Sequence, residues 1–224
     1  MIQLIKLNEP DVLSQNNTEW RKQYLSYFNY DGVNYTKKEG VKIPESLVKK
    51  YNSDDIKEQL LIETNKKCAY CESKMTHITY SDIEHIKPKA HRPDLIFEWG
   101  NLTVACEKCN RTNKNDYYDE LAPLVDPFND NPETCLYAFG SIIRHKDGDK
   151  KGFRTHKVIG LNRPDLFERR NERIEKVSVM IDQWRDENNH GHKQILYKEI
   201  LKEMEPDKEF SLIVKYLLLA EKII

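Results

Sequence analysis

An α+β protein is what this sequence predicts: a small metal-holding module set between two largely helical flanks. Two Cys-x-x-Cys pairs, Cys68/Cys71 and Cys106/Cys109, place four sulfurs at metal-ligand spacing near the middle of the chain. Short apolar runs beside and after the second pair read as strands. Both ends carry apolar residues at helical spacing.

Each Cys-x-x-Cys pair makes a tight knuckle that aims both sulfurs at one ion, and four thiolates close a tetrahedral shell around Zn²⁺. A closed shell leaves no open coordination position, so this zinc is expected to be structural. A cysteine quartet alone is commonly a zinc ribbon used for binding. Here, however, Glu84, His85 and Asn101 lie between the pairs, and Asn110 follows Cys109 directly. An isolated Glu-His pair is usually a solvated dipeptide, but a ribbon has no use for these four residues in this order. Cys135 stands apart and is expected to be a buried small hydrophobe.

Strand side chains alternate in direction, so Glu84 and His85 can serve different tasks. Phosphodiester hydrolysis needs a nucleophilic water and neutralisation of the charge on the leaving oxygen. A neutral imidazole, with a reference pKa of about 6.5, can take the water's proton near neutral pH. On that value the rate should climb between about pH 6 and 7.5. The Glu84 carboxylate and the Asn110 side-chain carbonyl are oxygen donors suited to a hard divalent ion such as Mg²⁺ or Mn²⁺.

The run CAYCESKMTHITYSDIEHIKPKAHRPDLIFEWGNLTVACEKCNRTNKN, from Cys68 to Asn115, resembles the HNH nucleases. The resemblance implies a central ββα-metal module buttressed by the zinc knuckles. It makes His85 the general base, has Glu84 and Asn110 hold the catalytic ion, and has Asn101 orient the loop that carries His85. Glu departs from the family's more usual Asp, and Asn110 from its frequent His. Asn113, one helical turn further, is a second candidate for that last place. The motifs VDPFNDNPE and GLNRPDLFERRNER extend a similarity to the HNH subunit of Septu-type and retron-associated anti-phage systems. There the nuclease works beside an ABC-type ATPase, which implies such a partner and a bacterial defence role. The chain itself shows no phosphate-binding Gly-rich loop.

Net charge is -1, so bulk electrostatics does not announce a nucleic-acid binder. Locally, Lys87, Lys89 and Arg92 follow His85, while Arg111 and Lys114 follow Asn110. All five are read as contacts to phosphates on either side of the cut. DNA is the favoured target. RNA such as tRNA is the alternative, because metal-assisted hydrolysis needs no discrimination at the 2′-hydroxyl. A non-catalytic zinc-ribbon scaffold is the rival outside the enzymes. A second basic stretch, Arg144 to Lys157, reads as a solvated hairpin or a DNA clamp. No apolar run is long enough to span a bilayer, and the start MIQLIKLNEP turns polar too soon for a signal peptide. A fifth, unpaired cysteine suits a reducing compartment, so a cytoplasmic protein is expected.

Four pieces are expected: a mostly helical region over 1–65, the metal module over 66–118, a loop and β-hairpin over 119–160, and a helical region over 161–224. The first should open with a strand, Ile2 to Leu7, then a helix near Thr18 to Asn29 with Trp20, Tyr24, Tyr27 and Phe28 on one packed face. A short helix should begin at Pro44, and Ser53 should cap another running to about Asn65. ETCLYAFG and SIIRHK read as paired strands, with DGDKKG as a turn. Asn162 should cap a helix whose seam is Phe167, Ile174, Val177, Ile181 and Trp184, broken at Gly191. Two further helices should follow, divided by Pro206. The apolar run SLIVKYLLLAEKII should pack on the N-terminal helices or meet another protein, with Phe210 to Ile224 among the surfaces offered to an ATPase.

Overall fold

Pro10, held in extended backbone, precedes a one-turn helix α1 (Asp11–Ser14) that buries Leu13. Helix α2 (Asn17–Leu25) follows, and its aromatic face packs inward. Tyr24 is buried, and the Tyr24 and Trp20 rings meet Phe97 edge-on at 6.1 and 5.7 Å. The helix ends at Leu25, short of Asn29, because the next residues enter a hairpin. Strand β1 (Phe28–Tyr30) pairs antiparallel with β2 (Tyr35–Lys37). The Asp31 carboxylate accepts the backbone N–H of Val33 and Asn34 at 2.8 and 2.7 Å, and Gly32 takes φ +101°. Asp-Gly is a strong hairpin signal that the aromatic periodicity masked.

Helix α3 (Glu45–Val48) and a 3₁₀ turn (Lys49–Asn52) lead to α4 (Asp54–Glu63). Ser53 occupies the N-cap position without a capping bond, and Asp54 and Asp55 supply the negative charge that the helix start favours. Ile56 and Leu60 of α4 are fully buried. No strand forms over Ile2–Leu7. Side chains replace a ladder there: the Leu7 N–H donates to Glu63 at 2.8 Å, and the Trp99 indole donates to the Leu7 carbonyl at 2.8 Å.

The structure, a computed structural model, describes residues 1–75 and 82–224. Strand β3 (Asp82–His85) pairs antiparallel with β4 (Leu102–Ala105), with Glu84 opposite Thr103 and His85 opposite Leu102. Every residue of β4 is buried, and α4 packs against it. The segment Lys108–Lys114 then forms a π-helix rather than an α-helix. These elements lie in a unit made of Leu4–Cys68 and Met75–Pro123.

A second unit comprises Leu124–Ile224 with Met1–Gln3 and Ala69–Lys74. Strands β5 (Leu136–Phe139) and β6 (Ile142–His145) form its hairpin. DGDKKG is more than a turn, since the Asp149 carboxylate caps the Gly152 N–H at 2.5 Å and opens helix α5 (Lys150–Val158). The basic stretch Arg144 to Lys157 is therefore the end of β6 and a helix, not a hairpin. Asn162 does not cap α6 (Pro164–Asp186). Its amide clasps the backbone of Ile143 at 2.8 and 2.7 Å, and Arg163 stands at the N-cap. The α6 face buries Leu166, Arg170, Val177 and Ile181, whereas Phe167 is exposed.

Gly191 breaks nothing, because it lies in the first turn of α7 (His190–Lys202), which Asn189 caps through the His192 N–H. Helix α8 (Ser211–Ala220) packs on α6 and β5 of its own unit. Val214 and Leu218 join Val177, Ile181, Ile200 and Ile223 in one buried cluster. The buried face of the apolar C-terminal run is thus core within its own unit, whereas Leu219 and Ile224 remain exposed. Among the described residues, no helix is long and apolar enough to cross a membrane.

Candidate active site

The site begins on β3. His85 is 5 % exposed, and its Nε2 lies 3.0 Å from the carbonyl oxygen of Ile96. A carbonyl only accepts, so Nε2 carries the proton and Nδ1 keeps the ring's lone pair. The Tyr51 ring stands edge-on to the imidazole at 4.6 Å. Burial, reinforced by the nearby positive charges of Lys89 and Lys114, pushes the His85 pKa down to about 3. The ring is therefore neutral throughout the physiological range, and a rate increase between pH 6 and 7.5 does not follow from its titration.

Asn101 ends a 3₁₀ turn (Trp99–Asn101) and enters β4. Its Oδ1 accepts the Lys87 N–H at 2.8 Å, and its Nδ2 donates to the carbonyls of Lys87 and Leu95 at 3.0 and 3.2 Å. Its own carbonyl accepts the Ile86 N–H at 2.9 Å. One side chain thus ties the residues after His85 to the loop that supplies the Ile96 carbonyl. Asn101 itself is 4 % exposed and faces this loop.

Glu84 is 4 % exposed, and its Oε1 lies 2.5 Å from the Lys114 ammonium, whose side chain is 2 % exposed. The same Lys114 Nζ donates to the His85 carbonyl at 3.0 Å. Lys114 is accordingly no surface contact for a phosphate; it is buried against β3. Asn110 lies one π-turn earlier, and its carbonyl accepts the Asn115 N–H at 2.6 Å. Such π-turns gather at functional sites, because the extra residue shifts side chains that an α-helix would aim elsewhere.

Glu84, His85 and Asn110 line one cleft of about 360 Å³, together with Tyr51, Asp82 and Arg111. Asn113 does not line it. Asp82 holds Arg111 at 2.6 Å through Oδ1, while its Oδ2 is buried without a hydrogen-bond partner among the described residues. Two carboxylates, Glu84 and Asp82, and the amide carbonyl of Asn110 make a set of oxygen donors, which fits a hard divalent ion. Of the other predicted basic residues, Lys87 and Arg111 are exposed. Lys89 is half-buried and donates to the Tyr51 hydroxyl at 2.8 Å. Arg92 forms a bidentate pair with Asp94 at 3.0 and 2.7 Å, and this bonding raises its pKa further.

The sulfurs of Cys68, Cys71, Cys106 and Cys109 all lie within 4.8 Å of one another. A tetrahedral zinc with bonds of about 2.3 Å sets its sulfurs roughly 3.8 Å apart, a spacing that falls within this limit. Arg163 Nη2 stands 3.7 Å from Cys71 Sγ, a cation placed to favour the thiolate. Cys135 is buried and outside this group, and burial pushes its thiol pKa up.

Sequence reasoning missed Tyr51, Asp82 and the inward role of Lys114. Asp82, two residues before Glu84 on a strand, could have been found by period-2 alternation. Tyr51 and Ile96 carry no sequence signal, since one enters from a 3₁₀ turn and the other through a backbone carbonyl.

Residues 68–116 match the family model described as HNH endonuclease. The chain is 31% identical over 150 residues to the Septu protein PtuB of Bacillus mycoides (strain KBAB4), across 54% of this chain and 51% of that protein. It is 34% identical over 111 residues to the Septu protein PtuB of Bacillus thuringiensis, across 49% of this chain and 42% of that protein. The chain spans about half the length, or less, of these curated relatives.

Proposed function

We propose that this chain is a metal-dependent endonuclease that hydrolyses phosphodiester bonds in nucleic acid, with DNA the favoured substrate. The observation that carries the reading is the convergence of Glu84, His85 and Asn110 on one cleft, with the His85 ring fixed by the Ile96 carbonyl. Nδ1 of His85, unprotonated in the free protein, would accept the proton of the attacking water, the negative charge of the substrate's phosphate beside the ring raising its basicity as the complex forms. Asn101 keeps that nitrogen in place by bracing the turn behind it. Glu84 and Asn110 would hold Mg²⁺ or Mn²⁺, which when bound supplies Lewis-acid stabilisation of the leaving oxygen. Arg111 and Lys87, exposed near the cleft, are the residues best placed to meet flanking phosphates. Cys68, Cys71, Cys106 and Cys109 hold structural Zn²⁺.

The similarity to the Septu protein PtuB supports a role in bacterial anti-phage defence, in the cytoplasm, beside an ABC-type ATPase. The inner face of helix α8 is occupied by its own core, while Leu219 and Ile224 stay exposed and belong to the surface that the Phe210 to Ile224 run would offer such a partner. Purified protein incubated with labelled DNA or RNA, with and without Mg²⁺ or Mn²⁺, tests the reading. Cleavage that requires the ion and disappears in His85→Ala is expected. Cleavage of tRNA alone would move the target to RNA. Zinc-loaded protein that binds nucleic acid but cuts neither, alone or with the ATPase, would leave the scaffold reading.

A further inference from the structure

A lysine with its ammonium buried between a carboxylate and a backbone carbonyl is costly to place, and the place it takes here is the one a divalent ion would want. Lys114 Nζ lies 2.5 Å from Glu84 Oε1 and 3.0 Å from the His85 carbonyl oxygen. Both side chains of the ion pair are almost wholly withdrawn from water, at 2 % and 5 % exposure. A carboxylate this deeply buried needs a counter-charge to remain ionised. Lys114 is positioned by the end of the π-helix that carries Asn110, so one element brings a neutral oxygen donor and a cation to the same strand.

We propose that Lys114 is a positioning residue: it holds Glu84 as a divalent ion would, and its charge sets how tightly that ion binds. This rests on Glu84 being an ion ligand, as argued above. Without the ion, the ammonium keeps the carboxylate charged and aimed, and it ties β3 to the π-helix. An arriving ion must share Glu84 with a like charge a few ångströms away, and like charges repel most where water is excluded. The consequence is an assembled but deliberately weak site, filled when further oxygen ligands arrive with the substrate's phosphate.

Mn²⁺ binding, followed by electron paramagnetic resonance on zinc-loaded protein without nucleic acid, reads this directly. Lys114→Gln should lower the Kd for Mn²⁺ at least tenfold, and Lys114→Arg should stay within about threefold of wild type, since only the charge is at issue. Thermal unfolding without Mn²⁺ gives a second readout. Lys114→Gln should lower Tm, and adding Glu84→Gln to it should recover part of the loss, because the pair and not the lysine alone is what the fold requires. Equal Mn²⁺ affinity in wild type and Lys114→Gln would overturn the proposal. Should Lys114→Gln fail to fold, the double variant decides: no recovery there overturns it equally. Absence of Mn²⁺ binding in every protein, wild type included, would instead overturn the assignment of Glu84 as a ligand.

Discussion

The cysteine cluster and the Glu84 cleft, the one a candidate zinc site and the other proposed to take a hard divalent ion, are built on opposite logic. The first is closed and soft: four sulfurs that need nothing beyond one another and one ion. The second is open and hard: a buried carboxylate, an amide and an imidazole whose positions depend on Ile96, Asn101, Tyr51 and Lys114. A closed site contributes to folding through its metal, whereas an open one must be held in shape by the fold so that a coordination position stays available to substrate. The comparison predicts that the two respond to different insults.

The largest effect should come from the closed site. Cys68→Ser or Cys109→Ser should abolish zinc binding and unfold the domain, since structural zinc supplies folding free energy of about 10 kcal/mol in small zinc domains. Zinc content by mass spectrometry and circular dichroism check this together. A folded, zinc-free Cys109→Ser protein would erase the distinction drawn above.

The open site should fail differently. His85→Ala should lower cleavage by about 10²–10⁴-fold, the range for losing a general base, with zinc stoichiometry unchanged. Some stability should go too, roughly 1–3 kcal/mol, because a buried ring and its bond to Ile96 are removed. If His85→Ala released zinc, the two sites would not be separate.

Asn101→Ala sharpens the comparison, because this residue braces the cleft without lining it. Loss of its three side-chain bonds should cost about 1–3 kcal/mol. Cleavage should drop about 10²-fold through misplacement of His85, with Mn²⁺ affinity nearly kept. Unchanged turnover would mean that the turn after His85 needs no brace.

The most gradual effect is on acid stability. The folded His85 pKa of about 3 lies below the unfolded reference of about 6.5. As pH falls through 6.5 the unfolded chain takes up the proton first, so stability fully present above that value is lost progressively toward pH 3. The slope from this one group is about 1.4 kcal/mol per pH unit. Between pH 6 and 4, without added Mg²⁺ or Mn²⁺, chemical denaturation of His85→Gln should show a shallower dependence than wild type by that amount. Equal slopes would place the imidazole in contact with water.

Legibility in the sequence tracked how local each interaction is. The cysteine pairs, the Glu84-His85 dyad and Asn110 beside Cys109 are short-range patterns, and the structure brings each to one place. The clearest errors came where one local signal masked another. Aromatic periodicity hid the Asp31-Gly32 hairpin, and Asp149 read as a turn residue when it caps α5. Asn162 looked like a cap because capping is what asparagine does near a helix start, yet its two-sided amide matched the strand edge at Ile143 better.

By itself the sequence determined which chemistry is available: soft ligands in knuckle-forming pairs, a carboxylate beside an imidazole, and amides at strand and helix entry, all set by residue type and spacing. Only the tertiary structure decided how those groups are tuned. It buried His85 and so made it neutral, chose Nε2 as the protonated nitrogen through the Ile96 carbonyl, and turned Lys114 from a surface cation into the partner of Glu84. The physical reason is that burial and hydrogen-bond partners come from residues distant in the chain, and protonation state and charge pairing depend on them more than on the side chain's own nature.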